Sequence, residues 1–315
     1  MNSAIQTEGL AKKFGSVQAL TGLDLNVPTG AIYALVGANG AGKTTIIKLL
    51  MNIYRPTSGS AMVLGIESAR LTGKSFRNIG YVSENQEMPE WMTVAYLLDY
   101  LRPFYPQWDK ALERQLVRQF DLPLDRKLKH LSRGMRMKAA FASVLAYRPS
   151  LVVLDEPFSG LDPLVRDELI EGLLDRAPET TIFLSSHDLA EIESFASHVG
   201  YLEGGRMLFS EELSVLTDRF REVAITLDDA SAIRRELPKT WLRPEISGSV
   251  IRFIDSDYRG ERTATELAEM FPTARDISLS PMSLRSIFLS VARSSRTSSE
   301  AATGEEDVIR ERAEA

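Results

Sequence analysis

Short runs of consecutive apolar residues alternate with helix-period patterns through about the first 210 positions, the sequence form of an α/β domain. Ala31–Val36 (AIYALV) predicts a buried strand, and GANGAGKTT then turns into a predicted helix over TIIKLLMNIY, residues 45–54. A loop at PTSG precedes a short strand, SAMVLG, and Ile79–Val82 (IGYV) is a further strand candidate. From Thr93 to Tyr147 the pattern is mostly helical, with Leu97, Leu98, Leu101, Leu112, Leu116 and Phe120 spaced for apolar faces. Leu151–Leu154 (LVVL) and Thr181–Ser185 (TIFLS) predict two more buried strands. Between them LVRDELIEGLLDRA reads as an amphipathic helix opened by Asp162 as cap and Pro163 in the first turn. Val199–Ser210 predicts a hairpin about Gly204-Gly205.

Beyond about Arg219 the rhythm changes. VAITL and VIRFI predict short strands, while ATELAEMF and SLRSIFLSVA predict helices. The expected organisation is a first domain over 1–218 with a helical subdomain at about 88–147, a small α+β lobe over 219–292, and a flexible charged tail over 293–315. No catalytic motif falls in the lobe. The 315 residues are 44% hydrophobic and 25% charged, enough for a substantial core. The net charge of −6 speaks against a broad nucleic-acid-binding surface, so no nucleic-acid partner is expected. The absence of cysteine removes disulfides, thiol chemistry and cysteine metal sites. No stretch approaches the roughly 18–20 apolar residues of a membrane span, and the N-terminus lacks the apolar core of a signal peptide.

The chemistry begins at Gly37-Ala38-Asn39-Gly40-Ala41-Gly42-Lys43-Thr44, which matches G-x-x-x-x-G-K-[ST] between a predicted strand and a predicted helix. Small residues there let successive backbone N–H groups turn toward a phosphate, and the helix N-terminus adds a positive dipole end. Lys43 is expected on the β- and γ-phosphates, Thr44 on Mg²⁺, and Thr45 on a nearby phosphate oxygen. In LVVLDEP, Asp155 ends a buried strand where it can reach the metal, and Glu156 beside it is a candidate to polarise an attacking water. His187 directly follows TIFLSS, so it can reach the same strand-end crevice; His130 and His198 read as ordinary surface or packed residues. A second helix start, LSRGM, offers Ser132 as a cap and Gly134 behind it.

The order of these motifs resembles the nucleotide-binding subunits of ABC transporters over residues 4 to 210. GANGAGKTT resembles Walker A, LVVLDE Walker B, LSRGM the signature turn, SGLD with Asp162 the D-loop, and SSH the switch histidine. Phe14 sits where such domains stack an aromatic on adenine. The phrases YRPTSGSAMVLG, IGYVSEN and FSGLDP are most similar to bacterial exporter ATPases paired with a separate permease.

The resemblance implies a P-loop NTPase fold, with an ABC-type RecA-like core, an antiparallel β subdomain and a helical subdomain. It also implies ATP and Mg²⁺ as ligands, and a homodimer or heterodimer closed head to tail around two nucleotides. Ser132 and Gly134 would then serve the nucleotide held by a partner's lysine. The location implied is peripheral, on the cytoplasmic side of the cell membrane.

Three departures from the family pattern stand out. Arg133 and Met135 replace the second Gly and the Gln of many signatures; Arg133 either strengthens the grip on the trans phosphate or faces solvent. Ser83-Glu84 stands where Pro-Gln is usual, which makes Glu84 the transmission-loop and metal candidate, with Gln86 its competitor. The D-loop carries Gly160 before Leu161. Trp91 and Met92 are the candidate permease contacts. A soluble non-transport ABC ATPase and a non-hydrolysing regulatory subunit are the alternative readings. The single cassette and the lack of a coiled-coil insertion weigh against the first, and Glu156 with His187 against the second.

Overall fold

The structure, a computed structural model, describes residues 3–177, 179–228, 238 and 240–294. The chain forms two compact units that divide after Glu211, where the sequence pattern placed the change after residue 218. Of the expected tail, residues 295–315 lie outside the described residues.

The first unit is built on two sheets. One is antiparallel, in the order β2-β1-β4-β5, from β1 (Ser3–Phe14), β2 (Val17–Pro28), β4 (Ser58–Val63) and β5 (Ile66–Glu67). The long β1–β2 pair has four register shifts, each of which resets which side chains face the core. That explains why twelve-residue strands leave no clean alternation in the sequence.

The other sheet is six-stranded, in the order β10-β9-β3-β8-β7-β6. Its members are β3 (Ile32–Val36), β6 (Ile79–Val82), β7 (Leu151–Asp155), β8 (Thr181–Ser186), β9 (His198–Glu203) and β10 (Arg206–Glu212). The β6–β7, β7–β8, β8–β3 and β3–β9 pairs are all parallel. Every residue of β3, β7 and β8 is buried, as expected of parallel strands covered on both faces. These are the runs that read as continuous apolar stretches.

The helix α1 (Lys43–Leu50) follows β3 through the glycine-rich turn. It stops four residues short of the expected Tyr54 because Asn52 adopts a left-handed φ of 56°. The Ile53 N–H then donates to the Lys48 carbonyl and the Asn52 N–H to that of Leu49, closing a Schellman motif.

The helical region holds α2 (Val94–Leu101), α3 (Lys110–Gln119) and α4 (Arg133–Leu145), capped by the side chains of Thr93, Asp109 and Ser132. Leu97, Leu98, Leu112, Leu116 and Phe120 are buried there, as their spacing predicted. On the sheet side α4 crosses β6 so closely that Gly80 has no room for a Cβ against Val144. Asp162 caps α5 (Pro163–Leu174) by accepting from the Leu164 N–H, with Pro163 in the first turn. The short α6 (Leu189–Ile192) follows β8.

In the second unit, α7 (Leu213–Arg219) leads into β11 (Arg221–Leu227). There β12 (Trp241–Ser247), β13 (Val250–Asp255) and β14 (Ala274–Pro281) complete an antiparallel sheet in the order β12-β13-β11-β14. The helix α8 (Glu261–Met270) joins β13 to β14, and a further helix spans 284–294. Val223, Ile225, Trp241, Phe253, Leu267 and Phe271 form its core. Most residues of β12 and β14 are exposed or half-buried, so neither edge strand shows an apolar run.

Candidate nucleotide site

The glycine-rich turn starts where β3 ends. The Gly37 N–H donates to the Ser186 carbonyl at 3.4 Å, tying the turn to the end of β8. A Cβ on Gly37 would collide with the Leu202 carbonyl. Gly42, with φ of 112°, forms the N-terminal boundary of α1 in a backbone region closed to most L-residues. Ala38, Asn39 and Gly40 are exposed, and Ala41 is buried. Lys43 is buried and folds back over the turn, donating to the carbonyls of Gly37 at 2.7 Å and Ala38 at 3.3 Å. Thr45 is half-buried in the first turn of α1.

Three ionisable side chains meet beside that lysine. Lys43 Nζ lies 3.0 Å from Glu156 Oε1, and His187 Nδ1 lies 2.7 Å from Glu156 Oε2. Asp155 Oδ1 accepts from Thr44 Oγ1 at 3.1 Å and from Ser185 Oγ at 2.7 Å. Glu156 itself is held at a left-handed φ of 48°, a conformation costing about 1–2 kcal/mol for an L-residue. Its N–H donates to Ser185 Oγ at 2.9 Å. Sequence reasoning placed Lys43, Thr44, Asp155, Glu156 and His187 here. It passed over Ser185, which looked like one more residue of a buried strand.

The surroundings respond to these charges. Burial, and then the Asp155 carboxylate, push the Tyr81 phenol on β6 above its ordinary range. Burial likewise raises the Glu191 carboxyl, partly offset by the Ser186 hydroxyl, which donates to it at 3.1 Å. Arg166 on α5 approaches Glu191 at 3.5 Å, so an ion pair joins the helix after the D-loop to the helix after His187.

The other expected site residues lie elsewhere in the unit. Phe14 is 41% exposed and meets Tyr54 edge-on at 5.3 Å, with Lys12 Nζ 5.0 Å above its ring. Tyr54, which sequence reasoning placed only in a helix, completes an open aromatic and basic platform. Ser132 Oγ accepts from the Met135 N–H at 3.2 Å, and Gly134 lets Val165 of α5 pack directly on the start of α4. Lys138 and Glu168 bind those two helices by an ion pair. Among the described residues no hydrogen bond or ion pair links Ser132 to Lys43, Glu156 or His187.

Glu84, the transmission-loop and metal candidate, lies 3.8 Å from Arg133 Nη2 of the same chain. Arg133 Nη1 also lies 3.3 Å from where a Gly160 Cβ would sit, so the guanidinium spans the loop after β6, the start of α4 and the D-loop. Gln86 turns back, accepting from the Ser83 N–H at 3.1 Å. A cleft of about 540 Å³ opens here, with Glu84, Glu87 and Glu90 facing Arg133 and Arg136. One expectation needs correction, that of Met92 as an exposed contact. That residue is only 4% exposed and belongs to the core, whereas Trp91 is 62% exposed.

Thr44 and Asp155 form a hard oxygen pair of one hydroxyl and one carboxylate. That suits Mg²⁺, which takes one or two protein oxygens and completes its shell with phosphate and water.

A sequence model of the family described as ABC transporter matches residues 20–159. The daunorubicin/doxorubicin resistance ATP-binding protein DrrA of Streptomyces peucetius is 31% identical over 91% of this chain and 92% of its own length. Such coverage takes in much of the second unit as well as the first. The bacitracin transport ATP-binding protein BcrA of Enterococcus faecalis is 30% identical over 70% of this chain and 73% of its own. A solved structure of an ATP-binding subunit of an ABC transporter superposes with a TM-score of 0.63 at 28% identity, covering 68% of this chain and 92% of that one. The chain belongs to the ATP-binding subunits of ABC transporters, and its first unit is an ABC ATPase. The antiparallel subdomain, the P-loop sheet and the helical region are the three parts the motifs implied.

The buried Lys43–Glu156 pair generates a test in the nucleotide-free protein. Lys43→Met strips a buried carboxylate of its cationic partner and is expected to cost about 3 kcal/mol in urea denaturation. Lys43→Met with Glu156→Gln is expected to cost less than the two single changes added together, giving a coupling of roughly 0.5–3 kcal/mol. Additive costs would show that the pair does not hold in solution.

Proposed function

We propose that two copies, or this chain and a related one, close head to tail around two ATP molecules and drive a separate membrane permease. The observation that carries the catalytic part is the Glu156 carboxylate fixed between Lys43 at 3.0 Å and His187 at 2.7 Å, beside Asp155 and Thr44. Before nucleotide enters, Lys43 neutralises Glu156. A γ-phosphate carries more negative charge than one carboxylate and competes for the ammonium, which leaves Glu156 able to take a proton from an attacking water. His187 donates through Nδ1 to Glu156. When its other ring nitrogen is also protonated, it becomes a cation able to donate to a phosphate oxygen. Thr44 and Asp155 would hold Mg²⁺, which supplies neutralisation of the phosphate charge when bound. Glycine-turn amides and the N-terminus of α1 cradle the phosphates, with Thr45 a further donor, and the platform of Phe14 and Tyr54 receives the adenine. Catalysis then rests on positioning and electrostatics and forms no covalent intermediate.

Ser132 and Gly134 complete the site across the dimer. They form a helix start with a polar side chain and a close glycine, and neither hydrogen bonds nor ion pairs tie Ser132 to its own chain's Lys43. That arrangement supports service to a partner's γ-phosphate, with Asp162 of the D-loop at the same interface.

The permease surface is supported by a row of exposed aromatics. Tyr96, Tyr100 and Phe104 recur every four residues along α2 and its extension. Trp91 lies 5.5 Å from Tyr96, ring centre to ring centre. Four large exposed rings in one row exceed what a solvated helix needs. No described helix is long and apolar enough to cross a membrane. A peripheral position on the cytoplasmic face follows from this reading. The drug-resistance name of the Streptomyces relative supports export as the direction.

Two outcomes test these assignments. Glu156→Gln is expected to lower phosphate release at least a hundredfold, the lower range for loss of a general base, and to accumulate an ATP-bound dimer. Release within tenfold of the parent would remove Glu156 from that role. Trp91→Ser with Tyr100→Ser is expected to leave basal ATP hydrolysis unchanged and abolish recovery of the permease with the tagged chain from detergent-solubilised membranes. Recovery at the parent level would place the permease contact elsewhere.

A further inference from the structure

One fully buried hydroxyl, that of Ser185, bridges the two carboxylate residues of the site. Ser185 lies on β8, the strand flanked by β3 on one side and β7 on the other. In register it faces Leu35, two residues before the glycine-rich turn, and Asp155 of Walker B. Its side chain is inaccessible to solvent. The single Oγ makes two bonds of opposite sense, donating to Asp155 Oδ1 at 2.7 Å and accepting from the Glu156 N–H at 2.9 Å.

The second bond falls at the residue whose backbone is left-handed, with φ of 48°. The turn that aims the Glu156 carboxylate at Lys43 and His187 leaves its N–H pointing into the protein, where it needs an acceptor. The first bond falls on the carboxylate oxygen that Thr44 also shares, at 3.1 Å. A hydroxyl that binds metal through a lone pair keeps its O–H, so Thr44 and Ser185 both donate to Asp155 Oδ1; Thr44 is exposed, and Ser185 is the buried donor of the two. Only a hydroxyl can donate to one neighbour and accept from the other at the same point. An apolar residue of similar size would fill the space and lose both bonds.

We propose that Ser185 is a positioning residue for ATP hydrolysis. It fixes the metal-binding carboxylate of Asp155 and the strained backbone of Glu156 to one another, so that metal and attacking water are presented in a constant relation. This rests on the roles given above to Asp155 and Glu156. It acts through those two residues and does not itself touch nucleotide. Among the described contacts, β8 and the residue that follows it therefore reach Glu156 twice, through Ser185 to its backbone and through His187 to its side chain.

The test compares the full chain with Ser185→Ala and Ser185→Thr by ADP binding in EDTA, ADP binding with Mg²⁺, steady-state ATP hydrolysis and thermal unfolding. Ser185→Ala is expected to bind ADP in EDTA within about twofold of the parent, because the glycine turn and Lys43 are untouched. It should lose roughly tenfold of the tightening that Mg²⁺ gives, the scale of one hydrogen bond to a charged group, and kcat should fall at least tenfold with a smaller change in KM. Ser185→Thr, which keeps the hydroxyl, is expected to restore the Mg²⁺ effect and most of kcat. Retention of both by a folded Ser185→Ala would overturn the proposal. So would equal loss of ADP binding with and without Mg²⁺ alongside a lowered Tm, since that describes a merely structural serine. Glu156→Gln, assayed in parallel, separates the two levels: undiminished hydrolysis there defeats the base assignment, whereas the Mg²⁺–ADP comparison reads the Asp155 bond alone.

Discussion

Three parallel strands, β3, β8 and β7, end at one edge of the central sheet, and the chemistry of the molecule depends on that order. The first delivers the glycine turn and Lys43, the third delivers Asp155 and Glu156, and the strand between them delivers Ser185 and His187. Parallel pairing fixes which residues arrive together. Asp155 is in register with Ser185, and Leu35 and Val36 with Ser185 and Ser186. A one-residue shift would turn each side chain to the opposite face and take Asp155 out of register with Ser185. The carboxylates are therefore positioned by the sheet and trimmed by a few polar contacts.

Those contacts also explain how a cluster of charges survives without nucleotide. His187 bonds one oxygen of Glu156, Lys43 lies within ionic reach of the other, which has no hydrogen-bond partner, and Thr44 and Ser185 donate to Asp155. In the function proposed above, ATP competes with Glu156 for Lys43, so binding and activation of the base become one event. The start of α4 is organised differently. Ser132 caps its own helix, Gly134 admits Val165, and Arg133 faces Glu84 and Gly160. The Arg133 and Glu84 departures have opposite charge and lie within ionic reach of each other, and the third, Gly160, leaves room for the guanidinium. Each substitution makes physical sense in the presence of the others, within one chain.

The sequence was most legible where chemistry and burial coincide. Gly37 to Thr45 and Leu151 to Glu156 combine strand-like apolar runs with residue types that few other purposes need, and His187 follows a run of the same kind. It was least legible where a residue's meaning lies in what it faces. Ser185 was read only as part of SSH, on account of the histidine, and its own value appears only when β8 is set between β3 and β7. Trp91 and Met92 are adjacent in sequence and similar in hydrophobicity, yet one is exposed and the other is core. Glu84 suited a metal by chemistry and is paired with an arginine by geometry. The strands β1, β2, β12 and β14 left weak patterns because bulges or two-sided exposure erase the period of two.

In the proposed dimer the nucleotide gripped by Lys43 of one copy is held from the other side by Ser132 of another. The most direct measurement is the sedimentation of two variants on a Glu156→Gln background, Lys43→Ala and Ser132→Arg, each alone with Mg·ATP and then mixed. One lacks the phosphate grip and keeps its signature turn; the other binds ATP and cannot receive a partner's phosphate. Each variant alone is expected to sediment as a monomer and the mixture as a dimer, where the Lys43 of one copy meets the Ser132 of the other. A dimer formed by Ser132→Arg alone, or a mixture that stays monomeric while the Glu156→Gln parent dimerises, would contradict that arrangement.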